Sequence, residues 1–194
     1  MKQTSVADDV TRAAVELFAS QGYANTSVQQ IVEAAGVTKG AMYHYFESKD
    51  DLLFGIYDRL LSLQKDRLDE IVARGGEIDD VLRDVCVDVI ETSIAHMPEG
   101  TVFFRSAHML SAPRQREVTR RRRAYNDTFA TLLQRGQEQG LYRTDIPLPV
   151  LIAHFFSDLH YLSQWYSPDG PESGSELAAQ LTDLFLRSIR RTDA

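Results

Sequence analysis

An all-helical fold is predicted for this 194-residue chain by three observations. Apolar residues recur at helical spacing along nearly its whole length. No segment alternates apolar and polar residues as a half-buried strand would, and the interruptions fall at Gly, Pro and Ser clusters. Nine helices result: three short ones in an amino-terminal head (residues 1–50) and six in a larger body (51–194). A chain of this length can bury a substantial core in such an arrangement.

In the head, Val6, Val10, Ala13, Ala14, Leu17 and Phe18 mark a first helix closed by Gly22. Thr26, followed three positions later by Gln29, has the capping-box pattern that satisfies the orphan amides of a starting helix, so a second helix begins near Ser27. Val28, Ile31, Val32 and Ala35 give it one apolar stripe, with Gln29, Gln30 and Glu33 on the other side. Gly36 ends it after about two turns, Val37 tucks inward, and Thr38 caps a third helix carrying Lys39 to Phe46. Ser48 then caps a fourth, with Asp50 and Asp51 in its favourable first turn.

The body opens with that long fourth helix, marked by Leu52, Leu53, Ile56, Tyr57, Leu60, Leu61, Leu68 and Ile71, and broken at Arg74-Gly75-Gly76. A fifth helix spans 78–96, and Pro98 and Gly100 separate it from a short sixth, TVFFRSAHML. The seventh runs from Pro113 to about Gln139, where Gly140 stops it. LYRTDIPLP reads as a connector, and Pro149 sits early enough in the next helix to be tolerated. The eighth covers 148–166 and the ninth 173–190, after the loop SPDGPESGS.

Two short helices joined by a Gly-containing turn are a helix-turn-helix signature, whose second helix enters the major groove of DNA. Small residues at the start of that helix let its backbone approach the duplex, which Gly40 and Ala41 would allow. A glycine inside a helix costs about 1 kcal/mol against alanine, so contact rather than propensity explains it. Tyr43, His44 and Lys49 can donate to phosphates, Ser27 lies at a helix start where phosphates bind well, and Gln29 and Lys39 have the reach for base edges. Tyr45 and Phe46 are expected to pack in the core.

On these residues the chain resembles the TetR family of bacterial repressors, from VADDVTRAAVELFASQGYANTS through the signature GVTKGAMYHYFESKDDLL. The resemblance implies a nine-helix TetR-like architecture. It also implies DNA contacts at Ser27, Gln29, Lys39, Gly40, Tyr43, His44 and Lys49. One feature departs from the usual basic footprint: residues 1–50 hold four Lys/Arg against six Asp/Glu. Few phosphate contacts per subunit are expected, with affinity that depends on two subunits binding together.

The resemblance further implies a homodimer through the eighth and ninth helices, rich in Leu151, Ile152, Phe155, Phe156, Leu159 and Leu162, and in Leu177, Leu181, Leu184, Phe185 and Ile189. A two-fold dimer in turn predicts a pseudo-palindromic double-stranded operator. For a hydrophobic effector, the body offers Phe103, Phe104, His108 and Met109, then Tyr125 and Phe129, then His154, Tyr161 and Trp165. The run Arg120-Arg121-Arg122-Arg123 points around most of a helix, so only one or two can serve a single site, with Arg105 or Arg114 as further candidates; Arg121 is taken as the representative. The segment LYRTDIPLPVLIAHFFSDLHYLSQWYSPDGP is similar to a FadR-like subgroup that controls fatty-acid and steroid-ring catabolism and is released from DNA by acyl-CoA thioesters. A lipophilic drug or small aromatic compound is the alternative effector. In either case helix 4 would carry a population shift from body to head.

Catalysis is the remote alternative. His154 and Asp158 lie four apart with His160 near, but no nucleophile with an adjacent base emerges, so no catalytic residue is assigned. No third metal ligand is visible beside them, and no metal or cofactor is expected. Cys86 is the only cysteine, which excludes an internal disulfide and suits a small buried hydrophobe. No apolar run reaches a membrane span, and a cytoplasmic, non-membrane protein is expected. With 43% hydrophobic and 25% charged residues and a net charge of −7, the composition is that of an ordinary globular chain.

Overall fold

A computed structural model describes residues 5–191. Ten α-helices run through them: α1 Val6–Gln21, α2 Val28–Ala34, α3 Lys39–Tyr43, α4 Lys49–Arg74, α5 Ile78–Ala95, α6 Met97–Ser106, α7 Ala112–Glu138, α8 Leu148–His160, α9 Leu162–Trp165 and α10 Gly174–Ile189. A single 3-10 turn, Ala107–Met109, lies between α6 and α7. The chain divides into two compact units, one of residues up to Leu60 with Pro98–Val118, the other of Leu61–Met97 with the residues from Thr119 onward.

In the first unit α1, α2 and α3 pack against one another, burying Val10, Ala13, Ala14, Phe18, Ile31, Val32 and Met42. The second helix is capped one residue later than expected. Gln30 N–H donates to Ser27 Oγ (3.2 Å) and Ser27 N–H donates to Gln30 Oε1 (2.8 Å). Thr26 is instead buried, donating its hydroxyl to the Gly22 carbonyl (2.8 Å) and accepting from Gln21 Nε2 (3.1 Å). Two successive hydroxyl residues are each followed at the third position by Gln, so the pattern fits both registers and only packing chooses.

Two further boundaries differ from the sequence expectation. Pro98 and Gly100 do not separate α5 from α6 but lie inside the first turn of α6, where a missing N–H costs nothing. The break is at His96, whose φ of −116° and ψ of 30° leave the helical region. The eighth predicted helix stops at His160, and Tyr161 (φ −106°, ψ 10°) separates it from the one-turn α9. Neither Gly nor Pro marks that break, and Leu162 continues the apolar periodicity, being buried itself. The ninth predicted helix is therefore α10.

In the second unit α10 packs along α5. Leu177, Ala178, Phe185, Leu186 and Ile189 from one and Val81, Leu82, Val85, Cys86, Val89 and Ile90 from the other are buried together. Cys86 is fully buried, and burial raises its thiol pKa well above the usual range. Gly140 (φ 73°) turns the chain out of α7 so that Tyr142 drives back into the core, 1% exposed. Its backbone pairs with Arg190 in an isolated antiparallel bridge, while its hydroxyl donates to Asp79 Oδ1 (3.3 Å), which Arg190 also holds (2.8 Å to Oδ2).

Gly136 is required by that ring, since a Cβ there would lie 2.0 Å from Tyr142. Gly100 has nothing within 4 Å of such an atom. Gly136→Ala is expected to lower unfolding stability by about 2 kcal/mol through overpacking. Gly100→Ala should raise it by up to ~1 kcal/mol through helix propensity. Urea unfolding of the two variants checks both signs.

His160, the last residue of α8, is half-buried with its Nε2 3.1 Å from Arg122 Nη2. Burial, aided by that guanidinium, pulls its pKa from 6.5 down to about 4. The unfolded chain therefore binds more protons between these values, so stability is full above pH 6.5 and declines as pH falls toward 4. Thermal melting of His160→Gln across that window is expected to show a flatter decline than the wild type.

Candidate nucleic-acid interface

The turn between α2 and α3 is four residues, Ala35 to Thr38, and its backbone is closed internally. Gly36 takes a φ of 66°, Gly36 N–H donates to Glu33 O (3.1 Å), and Val37 N–H donates to Val32 O (2.9 Å). Thr38 caps α3 by accepting from Ala41 N–H at 3.1 Å. Met42, fully buried, anchors the helix from beneath. Lys39, Gly40, Tyr43 and His44 are all exposed, Tyr43 to 50%. The structure thus brings together the four residues that the sequence placed on the reading helix.

Gly40 has ordinary negative φ and only the Thr38 hydroxyl, at 3.9 Å, near a would-be Cβ. Nothing within the chain demands glycine there. Tyr45, expected in the core, is instead 50% exposed, its ring edge-on to His44 at 5.0 Å. The helix has ended by then, so the helical spacing that would turn Tyr45 inward no longer applies; Phe46 is half-buried.

At the start of α2, Ser27 and Gln29 are exposed, with Gln29 Nε2 donating to the Glu33 carboxylate. Lys49 behaves differently. Its Nζ donates to the carbonyls of Tyr23 and Thr26, both at 2.8 Å, and lies 4.2 Å from the centre of the Tyr23 ring. Two of the three ammonium donors are thereby committed to the loop between α1 and α2, leaving one for a phosphate. Desolvation lowers the Lys49 pKa accordingly.

Around Lys49 the sequence signal was incomplete. Ser48 Oγ accepts from Asp51 N–H (3.0 Å), and Asp51 Oδ2 returns the cap by accepting from Glu47 N–H (3.1 Å). The other Asp51 oxygen pairs with Arg114, whose guanidinium lies over the Phe54 ring at 4.3 Å. Asp50 accepts from Ser111 N–H (2.9 Å) and Ser111 Oγ (2.8 Å). Arg114, a candidate for an anionic effector on sequence, is thus an ion-pair partner of α4. These contacts span some sixty positions and no local pattern announces them.

The predicted effector residues are dispersed. In the first unit Phe103 is buried and stacked on Tyr57 (3.2 Å between centroids), whereas Phe104, His108 and Met109 are exposed. In the second, Phe129 is 0% exposed and sits among Phe155, Phe156 and Phe185, with centroids at 5.1, 5.5 and 6.1 Å. Tyr125 is buried against Phe156. His154, Tyr161 and Trp165 are exposed.

Phe129 and Tyr125 read as core, the commoner fate of an aromatic stripe at helical spacing. Arg121 is half-buried and donates to Ser62 Oγ at 3.0 Å, while Arg122 turns to His160 and Arg123 lies 3.9 Å from Asp127. An open groove of about 360 Å3, lined by Val72, Asp127, Thr128, Thr131, Leu132 and Arg135, includes none of the predicted effector residues. Among the described residues no three His, Cys, Asp or Glu side chains gather as a metal site, and no helix is long and apolar enough to cross a membrane.

Residues 10–56 match the family model described as bacterial regulatory proteins, tetR family, and residues 75–189 match the tetracyclin repressor-like carboxy-terminal domain. Among curated proteins, the HTH-type transcriptional repressor KstR2 of Mycobacterium tuberculosis is 27% identical over 189 residues, covering 94% of this chain and 92% of its own. Among solved structures, PfmR, a TetR family regulator from Thermus thermophilus, has a TM-score of 0.84 at 26% identity, covering 94% and 99%. AibR, solved with isovaleryl coenzyme A and operator DNA, shares the fold with a TM-score of 0.76 at 21% identity, covering 96% and 98%. The carboxy-terminal match alone takes in more than half of the sequence, and with the helix-turn-helix match ahead of it the chain belongs to the TetR family of bacterial transcriptional regulators.

Proposed function

We propose that this regulator is a homodimeric repressor that reads a pseudo-palindromic operator with α3 and is released by a hydrophobic effector of the acyl-CoA thioester class. The observation that carries the DNA reading is the division of α3 into a sealed side, Met42, and an open side, Lys39, Gly40, Tyr43 and His44. Lys39 and Gln29 reach base edges, Tyr43, His44 and Ser27 take phosphates, and Gly40 admits the duplex to the backbone. Lys49 contributes at most its third donor to a phosphate and otherwise fixes the loop ahead of α2.

Dimerisation follows from α8 and α10. Val150, Tyr161 and Leu184 are 53%, 67% and 66% exposed, and Ala153 and Ser157, one helical turn apart on the open side of α8, allow a close approach. An exposed apolar face of this kind marks an association surface, and two-fold pairing closes it. Support for the effector class comes from AibR, whose structure holds a CoA thioester, and from the similarity to KstR2. The arginines of α7 supply cations suited to phosphate groups. A lipophilic drug is the second reading, because an exposed aromatic such as Trp165 would serve it equally.

Gel shift on the promoter beside the protein's own gene, repeated with CoA thioesters of graded chain length, tests the proposal. Release by at least one ester supports it; indifference to all of them removes the effector class, and no shift at all removes the repressor. Gly40→Ala separates reading from folding. It is expected to raise unfolding stability by up to ~1 kcal/mol while weakening operator binding about tenfold or more, because the new methyl occupies space meant for DNA. Leu184→Glu should convert the dimer to monomer in sedimentation equilibrium and abolish operator binding with it.

A further inference from the structure

Within the second unit, the outer face of α7 carries its charges symmetrically about one residue. Thr131 is exposed, with Asp127 one turn before it and Arg135 one turn after, and all three line the open groove that Val72 and Leu132 complete. Farther out stand Arg123 and Glu138, again exposed, of opposite sign and on opposite sides of Thr131. The side chains of Arg123 and Asp127 are 82% and 72% exposed and approach each other only to 3.9 Å. Arg135 has no carboxylate partner among the described residues. The hydroxyls of Thr128 and Thr131 are committed to their own helix, donating to Ala124 O (3.3 Å) and Asp127 O (2.9 Å), so the strip between the charges brings no unmet donor to the surface.

We propose that this face of α7 docks on a second copy of the chain, antiparallel about a two-fold axis at Thr131, and joins one dimer to the next. The order Arg123, Asp127, Arg135, Glu138 becomes its own complement when reversed, so Asp127 faces Arg135 of the second copy and Arg123 faces Glu138. Each pair occurs twice in a two-fold contact, which gives four pairs of opposite charge. A parallel arrangement would set every charge against its like, so the pattern selects the antiparallel one. Val72 and Leu132 supply apolar surface in the groove beside the charged rows. Exposed ion pairs are individually weak and screened by salt, so the contact forms only where dimers are concentrated. It uses none of the α8 and α10 residues that close the dimer proposed above, and a chain with two self-complementary faces assembles beyond a pair.

Disulfide trapping on the full chain tests the contact, because it captures weak encounters. With helix axes about 10 Å apart and Cα atoms about 2.3 Å from each axis, the two Cα atoms of residue 131 come to about 5 Å, within disulfide reach. Residue 124 lies seven positions away from the axis, so its two copies stand about 21 Å apart along the helices. Under diamide at low salt, Thr131→Cys is expected to give a covalent pair about tenfold faster than Ala124→Cys, which is equally exposed but off the axis. Cys86 is fully buried and does not compete. Raising the salt to about 1 M, where the screening length is about 3 Å, should bring the two rates together.

Charge reversal then identifies the partners. In the Thr131→Cys background, Asp127→Arg and Arg135→Asp should each slow trapping to the rate of Ala124→Cys, since each sets like charges together twice. An equimolar mixture of the two variants should recover the fast rate, because one brings two arginines and the other two aspartates; a variant that had merely misfolded could not be rescued in this way. Equal rates for Thr131→Cys and Ala124→Cys, indifference to salt, or failure of the mixture would each overturn the proposal. Repeating the trapping with Leu184→Glu added separates the two contacts. Persistence of the fast rate is expected, and its loss would show that α7 only reports the α8–α10 dimer. Should sedimentation find the wild type monomeric, the dimer reading falls, and trapping at residue 131 still decides whether α7 pairs with itself.

Discussion

A helix of five residues cannot hold itself together, because nucleation fixes several dihedral angles for each hydrogen bond gained and only packing repays the deficit. α3 is such a helix. It persists because Thr38 satisfies its first free amide, the Val37 N–H is tied back to Val32, and Met42 is sealed in the space between α1 and α2. The reading surface is therefore a passenger on its neighbours. Lys39, Gly40, Tyr43 and His44 can be exposed, as the proposed DNA reading requires, because stability is supplied from the opposite side, and their position is only as fixed as α1, α2 and the start of α4.

The same constraint explains how an acidic head can serve a nucleic-acid function. A count of charges over residues 1–50 gives an excess of carboxylates, yet most of these are occupied away from α3. Asp8 is held by Arg59 and Asp9 by Arg12. Asp50 is turned to Ser111, and Glu33 accepts from Gln29. α3 itself carries no carboxylate. Two of these partners, Arg59 and Ser111, come from outside the first fifty residues, so the charge balance of that segment taken alone was bound to mislead.

What could be read from the sequence follows from how local each signal is. Helical periodicity, Gly36 and Gly140 at positive φ, and the caps at Thr38 and Ser48 depend on a few adjacent residues, and the structure carries them as expected. The capping box slipped by one position because Thr26 and Ser27 offered equal local patterns. The break at Tyr161, an exposed residue, and the plunge of Tyr142 into the core leave no local mark. Within the candidate site, the α3 residues were legible because one helix turn decides their direction. The tether of Lys49 and the pairing of Arg114 were not, since each depends on a partner far along the chain.

The arginine run of α7 shows how such intramolecular pairing bears on ligand control. With about 100° between successive residues, four arginines cannot converge. Arg121 goes to Ser62, Arg122 to His160 and Arg123 toward Asp127. An anionic effector that draws Arg121 or Arg122 away from its partner would couple its binding to rearrangement of α4 or the end of α8, where those partners sit. A ligand changes a conformational equilibrium only through differential affinity for the two states. On the effector reading proposed above, arginines already oriented by Ser62 and His160 would supply that difference wherever binding the anion requires them to turn away from those partners. A free, solvated arginine would bind the anion in either state and would transmit nothing to the head.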